Sequence, residues 1–487
     1  MSDISISQSF DIVRSVGNLE RLSTARHNLG YYRCVANTVK YRTNATNIQL
    51  LFSIIETAVA KVVLRHPALC CGIINEDKDD PAFIQLESID LSSCIKYYKP
   101  DPELTEEDGI VRVLEYQHRQ LWPNLDSQPG WKVIIIPTKR LPGEKSPAFD
   151  AVFAFHHALA DGLSGLVFHR SMLEALNESS LCSELSNHIL KVPRPIELAP
   201  AVEQAVNFQI SWIFFFKAIW NEFRPRWLFP DSAPPFTGAI CLLDPIERYE
   251  SRVKVIAIPS NLVESILAAC REQKATVTGF LHGLILTSLA THVPEAASFS
   301  SVTPYSLRHL TGLSLNEGMG TQLSALSLKH SPEVLSRIRS AHTPRELMGE
   351  IWDIARSFRK DMAAELAGLP NDNLIGMLPY VSSIHQMFQG RLGKPRSDTY
   401  EVSNIGTINN AVPGAKWRID RTIFSQSGMG TGPSMSFNVA SVAGGPLTIS
   451  VTWLDGDSDS KLVELITKDL SYALRCIGEG KEITIGL

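Results

Sequence analysis

Residues 150–156, DAVFAFH, are apolar at successive rather than alternate positions, the pattern of a strand covered on both faces and so central in a sheet. They run directly into His157-Ala158-Leu159-Ala160-Asp161-Gly162 and then into a helical pattern over about 163–176. A buried strand turning at once into a helix requires helices layered over a sheet, so the expected fold class is α/β or α+β. The same junction puts His156, His157 and Asp161 where side chains reach a cleft from a rigid frame.

At 487 residues the chain exceeds the usual single-domain size, and two packed halves are expected. A proline-rich stretch over about 186–235 is the best connection, dividing the chain into 1–200 with the double histidine, a connector at 201–235, and 236–487. Hydrophobic residues at 44 % and charged residues at 20 % describe an ordinary globular protein. Lys plus Arg number 46 against 51 acidic residues, which leaves no basic excess for a phosphate backbone and excludes nucleic acid as a partner. A monomer is expected.

Eight cysteines without a CxxC or regular spacing point to neither a zinc site nor a disulfide framework. The start, MSDISISQSF, lacks the blocks of a signal peptide, and the end, EITIGL, lacks a lipidation or retrieval signal. A cytoplasmic location follows as the expectation. One segment complicates it. Residues 206–223, VNFQISWIFFFKAIWNEF, are too interrupted by polar residues to span a bilayer. Two readings stay open: a buried or partly buried connector helix, or a helix in loose peripheral contact with a membrane surface.

Elsewhere, a 3.6-residue apolar stripe predicts a helix over about 47–65, with Thr46 and Gln49 as a capping box and Pro67 as its stop. Strands are expected at Trp131–Pro137, 253–259, 300–304, 322–328, 401–404, Met435–Val442 and Leu447–Leu454. The last two flank an Ala443-Gly444-Gly445-Pro446 turn. Helices are expected from Ser260 onward and over 278–292, 345–362 and 460–476.

An imidazole titrating near neutrality can take a proton from a hydroxyl or an amine, which makes His157 the candidate base. Asp161 could accept its other ring proton, or it could cap the helix and pair with a cation elsewhere. No GxSxG elbow frames a nucleophile, and GxGxxG, a Walker loop and HExxH are all missing from the sequence. Covalent acyl-enzyme, nicotinamide, nucleoside triphosphate and zinc chemistry therefore have no support. Direct attack on an activated acyl donor does.

The run HHALADG resembles the HHxxxDG signature of the CoA-dependent acyltransferases related to chloramphenicol acetyltransferase. Residues 14–22, RSVGNLERL, with Arg26 and Leu29-Gly30-Tyr31-Tyr32, are similar to the N-terminal signature of the fungal alcohol acetyltransferase family within it. Similar pieces follow in family order: His66-Pro67-Ala68-Leu69, Gln128-Pro129-Gly130-Trp131, Pro304-Tyr305-Ser306-Leu307-Arg308, Val402-Ser403-Asn404-Ile405-Gly406, and the glycine-rich 425–433. The resemblance implies two similar halves with a channel between them, entered by acyl-CoA from one side and the acceptor from the other. It implies no bound cofactor, with acetyl-CoA or another acyl-CoA as co-substrate, and an alcohol or a hydroxylated natural product as acceptor. His157 is then the general base. Asp161 and Gly162 are structural, and Arg308 is the candidate partner of Asp161. Asn404, Ser425, Ser427 and Thr431 are candidates to line the channel or steady an oxyanion. Adjacent strand residues face opposite ways, so His156 is expected to be packed. His27, His66, His169 and His282 show no ligand spacing and read as structural. Two alternatives accompany this reading: transfer from a carrier-protein thioester, and a catalytically inactive binding homologue.

Overall fold

The structure, a computed structural model, describes residues 10–44, 51–138, 147–178, 180–225, 227–228, 233–238, 240–241, 249–410, 414–456 and 458–486. Strand Ala148–Phe155 occupies the middle of a five-stranded sheet, with Val35–Thr43 and Trp417–Gln426 on one side and Trp131–Pro137 and Ile95–Tyr97 on the other. Its burial on both faces is the reason for its unbroken apolar run. Helices Leu51–Arg65 and Gly162–Asn177 pack together beside this sheet. Phe153 of the strand stacks on Phe168 of the second helix, centroids 3.8 Å apart. The two elements flanking the double histidine are thereby fixed to each other, and each fully buried Phe adds roughly 1.5–3 kcal/mol to the packing.

A second, six-stranded mixed sheet has the order Ser251–Ile258, Leu447–Leu454, Met435–Val442, Tyr400–Ile408, Phe299–Ser306, Leu323–His330. Helix Val277–His292 is covered by Pro344–Gly368 and Ser460–Gly478, which is why it is apolar all round rather than striped. Each sheet sits on its own buried cluster. The predicted strands and helices in this half are all present, most of them one to six residues longer than the local pattern indicates. The helix predicted over 47–65 is described as Leu51–Arg65, and its capping box lies outside the described residues.

One strand crosses the expected division at 201–235. Trp417–Gln426 pairs antiparallel with Val35–Thr43 of the first sheet, although it lies between two strands of the second. Thr448 and Ser450 of the second sheet donate side-chain hydrogen bonds to the carbonyls of Thr422 and Phe424. The halves are thus laced together along this strand, and the cavity described below lies where they meet.

The aromatic segment is at most partly buried beyond Val206, which leaves both readings of it open. Its helix begins only at Trp212, capped by Ser211, whose Oγ accepts from the Phe214 N–H at 3.2 Å. No residue of Trp212–Phe223 is buried, and Trp212 and Phe223 are 76 % and 74 % exposed. Phe214, Phe215 and Ala218 are partly buried, and the other residues of the helix face solvent. No helix among the described residues is long and apolar enough to cross a membrane.

Candidate active site

Where strand Ala148–Phe155 ends, the chain turns through His156 to Ala160 and re-enters a helix at Gly162. Asp161 caps that helix. Its Oδ1 accepts from the Ser164 N–H at 2.8 Å, satisfying one of the orphan donors of the first turn. The same oxygen accepts from Arg308 Nη2 at 2.9 Å. Arg308 Nη1 reaches the carbonyls of Ser314 and Gly318 at 3.0 and 2.7 Å, and Asp161 Oδ2 accepts from the Gln322 N–H at 3.2 Å. Both side chains are buried. Asp161 therefore pairs with a cation from the other half, and of the two roles open to it the geometry favours the structural one. Gly162 is tightly boxed: a Cβ there would lie 2.6 Å from Ile405 Cγ2 and 2.9 Å from Phe424 Cζ.

His157 is half-buried and lines the main cavity, about 380 Å³ in volume. Its Nδ1 lies 3.0 Å from the Ala160 carbonyl oxygen. A carbonyl can only accept, so Nδ1 carries the proton and Nε2 keeps its lone pair. Burial, reinforced by the nearby charge of Arg26, lowers this imidazole to about 4, against an ordinary value of about 6.5. At neutral pH the ring is an unprotonated base. Thr321 Oγ, from the second half, donates to the His157 carbonyl at 2.7 Å and holds the turn across the seam.

His156 points away from the cavity. Its Nδ1 accepts from the Ala158 N–H at 3.0 Å, so its Nε2–H donates to Glu76 Oε1 at 2.8 Å. His27 mirrors it, with Nε2 accepting from the Trp122 N–H at 3.0 Å and Nδ1–H donating to the same carboxylate at 2.9 Å. Burial alone would raise Glu76, but the two imidazole N–H bonds hold it down at about 2. His27, Glu76 and His156 lie close enough to suggest a metal site. The nitrogens facing the carboxylate carry protons, however, and freeing them would sacrifice both backbone bonds. The cluster is a hydrogen-bonded clamp on the strand end, in which neither imidazole has a free lone pair to offer a cation. All eight cysteines are free.

The remaining candidates divide. Asn404 lines the cavity at an exposed edge, with Nδ2 donating to Thr278 Oγ1 at 3.1 Å. Ser425, Ser427 and Thr431 do not line it. Ser425 Oγ meets His118 Nε2 at 3.0 Å, and Ser427 Oγ accepts the backbone N–H groups of Arg33 and Cys34 at 3.0 and 3.2 Å. Thr431 is buried outside the cavity lining. For the two serines the reason is parity about the strand end: Gln426 faces the cavity, so its neighbours face away.

Four lining residues carry chemistry that local pattern does not single out: Glu401, and Arg26, Tyr32 and Gln426, which the sequence offers only within the family-like pieces. The Tyr32 ring lies 5.7 Å from that of His157, and its hydroxyl donates to Gln426 Oε1 at 2.8 Å. Gln426 Nε2 donates in turn to Glu401 and Asn438. Burial pushes Glu401 up to about 7. These residues come from three separate segments, Arg26 and Tyr32 sharing the turn that ends helix Asn18–Asn28, and only the topology joins them.

The family model for alcohol acetyltransferases matches residues 15–468. The protein named Probable alcohol acetyltransferase FCK4 of Fusarium pseudograminearum is 30 % identical over 98 % of this chain and 97 % of its own length. Probable alcohol acetyltransferase crmB of Aspergillus fumigatus is 25 % identical over 91 % and 95 %. Among solved structures, a trichothecene 15-O-acetyltransferase from Fusarium sporotrichioides superposes with a TM-score of 0.68 at 13 % identity, covering 96 % of this chain and 94 % of that one. The condensation domain of the monacolin K polyketide synthase MokA gives 0.61 at 10 % identity, covering 98 % and 100 %. At such identities these two likenesses establish the two-lobed acyltransferase fold alone. With a family match over most of its length, the chain belongs to the alcohol acetyltransferase family and is an acetyltransferase that acylates a hydroxyl.

Proposed function

We propose that His157 is the general base that takes the acceptor's hydroxyl proton as its oxygen attacks the carbonyl of acetyl-CoA. The observation that carries this is the Nδ1 bond to Ala160, which fixes the tautomer and leaves Nε2 on the cavity wall as a base with no partner among the described residues. As the O–C bond forms, the proton passes to Nε2 and the carbonyl π electrons become an oxyanion. When the C–S bond breaks, the imidazolium returns the proton to the leaving thiolate, and the products are an acetyl ester and free CoA. Asp161 and Arg308 act by holding the turn, not by moving protons.

The acceptor in this reading is a hydroxyl on a molecule larger than a short alcohol. A cavity of about 380 Å³ falls in the range that holds drug-sized ligands. An acceptor of that size is often apolar, and we propose that helix Trp212–Phe223 makes peripheral contact with the membranes where such molecules partition. Phe215 of this helix packs on Tyr380, centroids 5.3 Å apart, in the segment whose Leu374 and Leu378 line the cavity.

The test is release of free thiol from acetyl-CoA by the full chain against a panel of alcohols, alongside His157→Ala. Loss of the base should lower turnover by roughly 10²–10⁴-fold with little change in the KM for acetyl-CoA. A correctly folded His157→Ala protein with near-wild-type turnover would overturn the assignment.

A further inference from the structure

Helix Asn18–Asn28 presents Leu19, Leu22, Ser23 and Arg26 to the cavity. Arg26 is the unusual member. Its Nε donates to the Leu22 carbonyl of its own helix at 3.1 Å. The rings of Tyr32 and Phe388 lie near the guanidinium, with centroids 4.9 and 5.9 Å from Cζ. Among the described residues no carboxylate comes within ion-pair distance of it, and no residue hydrogen-bonds its two terminal nitrogens. By contrast the buried Arg308 and the partly buried Arg14 and Arg421 each meet an Asp or Glu within 3.0 Å. An unpaired guanidinium is costly in an apolar setting, and its planar fork of N–H donors matches a carboxylate in two-point geometry.

We propose that Arg26 is the recognition point for an anionic oxygen group on the acceptor, so that the preferred acceptor is a hydroxylated molecule that also bears a carboxylate. This rests on the acetyl-transfer reading above and narrows its substrate class. Glu401, which also lines the cavity, makes no ion pair with the cation. Glu401 is buried and engaged by Gln426 Nε2, and burial keeps a share of it protonated near neutral pH.

Two other oxygen sources compete for the same guanidinium. The phosphates of CoA lie roughly 15 Å from its sulfur along an extended pantetheine arm, by the rise of an extended chain. The path from the His157 ring to Arg26 passes through Tyr32 in steps of 5.7 and 4.9 Å. Arg26 is thus too near the reacting centre to meet those phosphates while the thioester sits at His157. The amide carbonyls of the arm are within range, and so is the oxyanion formed during transfer. The experiment separates all three.

The probes are an ω-hydroxyalkanoate of eight carbons and the α,ω-diol and alkanol of the same length. Their binding to wild type, Arg26→Gln and Arg26→Lys is measured by calorimetry at pH 8, together with acetyl-CoA kinetics. The hydroxyalkanoate should bind wild type more tightly than the diol, and Arg26→Gln should weaken it about tenfold or more. The diol and alkanol should be unaffected, and so should the KM for acetyl-CoA. Arg26→Lys should fall between, since it keeps the charge but loses the fork; it also serves if the glutamine variant fails to fold. Equal weakening of all three probes, a selective rise in the KM for acetyl-CoA, or a uniform fall in kcat with binding unchanged would each overturn the proposal. Because binding is read without turnover, carboxylate-selective binding in a protein that releases no thiol would instead sink the acetyl-transfer reading.

Discussion

An imidazole can act as a base only while unprotonated, and two features keep His157 so. Burial withholds the water that would solvate an imidazolium, and Arg26 adds like-charge repulsion; together they hold the ring down at about 4. An unshifted histidine would begin to lose activity near pH 6.5. Here kcat/KM should stay level through that region and fall only as the pH approaches about 4. A pH–rate profile with its acid limb near 6.5 would mean that the ring is solvated when acceptor is absent. Asp161 bears on stability instead. Asp161→Ala removes the helix cap and leaves Arg308 buried without its counter-ion, an expected loss of roughly 3–5 kcal/mol. Asp161→Asn keeps the shape and should lose less. Urea denaturation of both variants checks this, and an Asp161→Ala protein of normal stability would show that the pair contributes nothing.

At the scale of elements, exposure of helix Trp212–Phe223 is the feature that needs a cause. Soluble surfaces rarely present contiguous apolar patches of this kind without a use, and Trp and Phe beside Lys217 and Arg224 suit a membrane interface. The full chain should float with liposomes. Replacing Phe216 and Trp220 with Glu should abolish flotation while leaving thiol release with a water-soluble alcohol unchanged. Binding that survives both substitutions would assign membrane contact to another surface. The sequence made this segment conspicuous but not its exposure, because apolar composition reads the same for an interior helix and an interfacial one. Legibility followed local pattern elsewhere too. Strand Trp131–Pro137 was readable from the apolar run over 133–136. Strand Trp417–Gln426, WRIDRTIFSQ, was not, since Arg418, Asp420 and Arg421 interrupt it and its partner lies in the other sheet. Within the site, His157, Asp161 and Arg308 were accessible through motif and resemblance. The serines of 425–427 were read one position out of phase, and Glu401 and Gln426 needed the tertiary structure to meet.

For the whole molecule, buried histidines set how stability depends on pH. His66, His118 and His169 are buried in the first half and His282 in the second. Each joins two elements as a neutral ring: His66 to Ser171, His118 to Ser425, His169 to Tyr41, and His282 to Tyr400 and Thr303. Burial lowers His66 and His169 to about 4 and His118 to about 3, and takes His282 well below its ordinary value. Below pH 6.5 the unfolded chain takes up protons that the folded chain refuses, so acid favours unfolding. Their contribution is complete above about 6.5 and is lost as the pH falls toward 4. Glu401 works the other way: raised to about 7, it binds a proton when folded and offsets part of the effect between its unfolded and folded values. Each unopposed group changes stability by up to about 1.4 kcal/mol per pH unit. From these groups alone, four histidines against one carboxyl leave a net slope of roughly 4 kcal/mol per unit near pH 5, and His157 and His330, also held at about 4 by burial, add to it. Urea midpoints at pH 7.5, 6.5, 5.5 and 4.5 should therefore be level between the first two and drop steeply thereafter. Midpoints that hold steady down to pH 5 would mean that these rings are protonated in the fold, and that the neutral hydrogen bonds tying the elements together have been assigned the wrong way round.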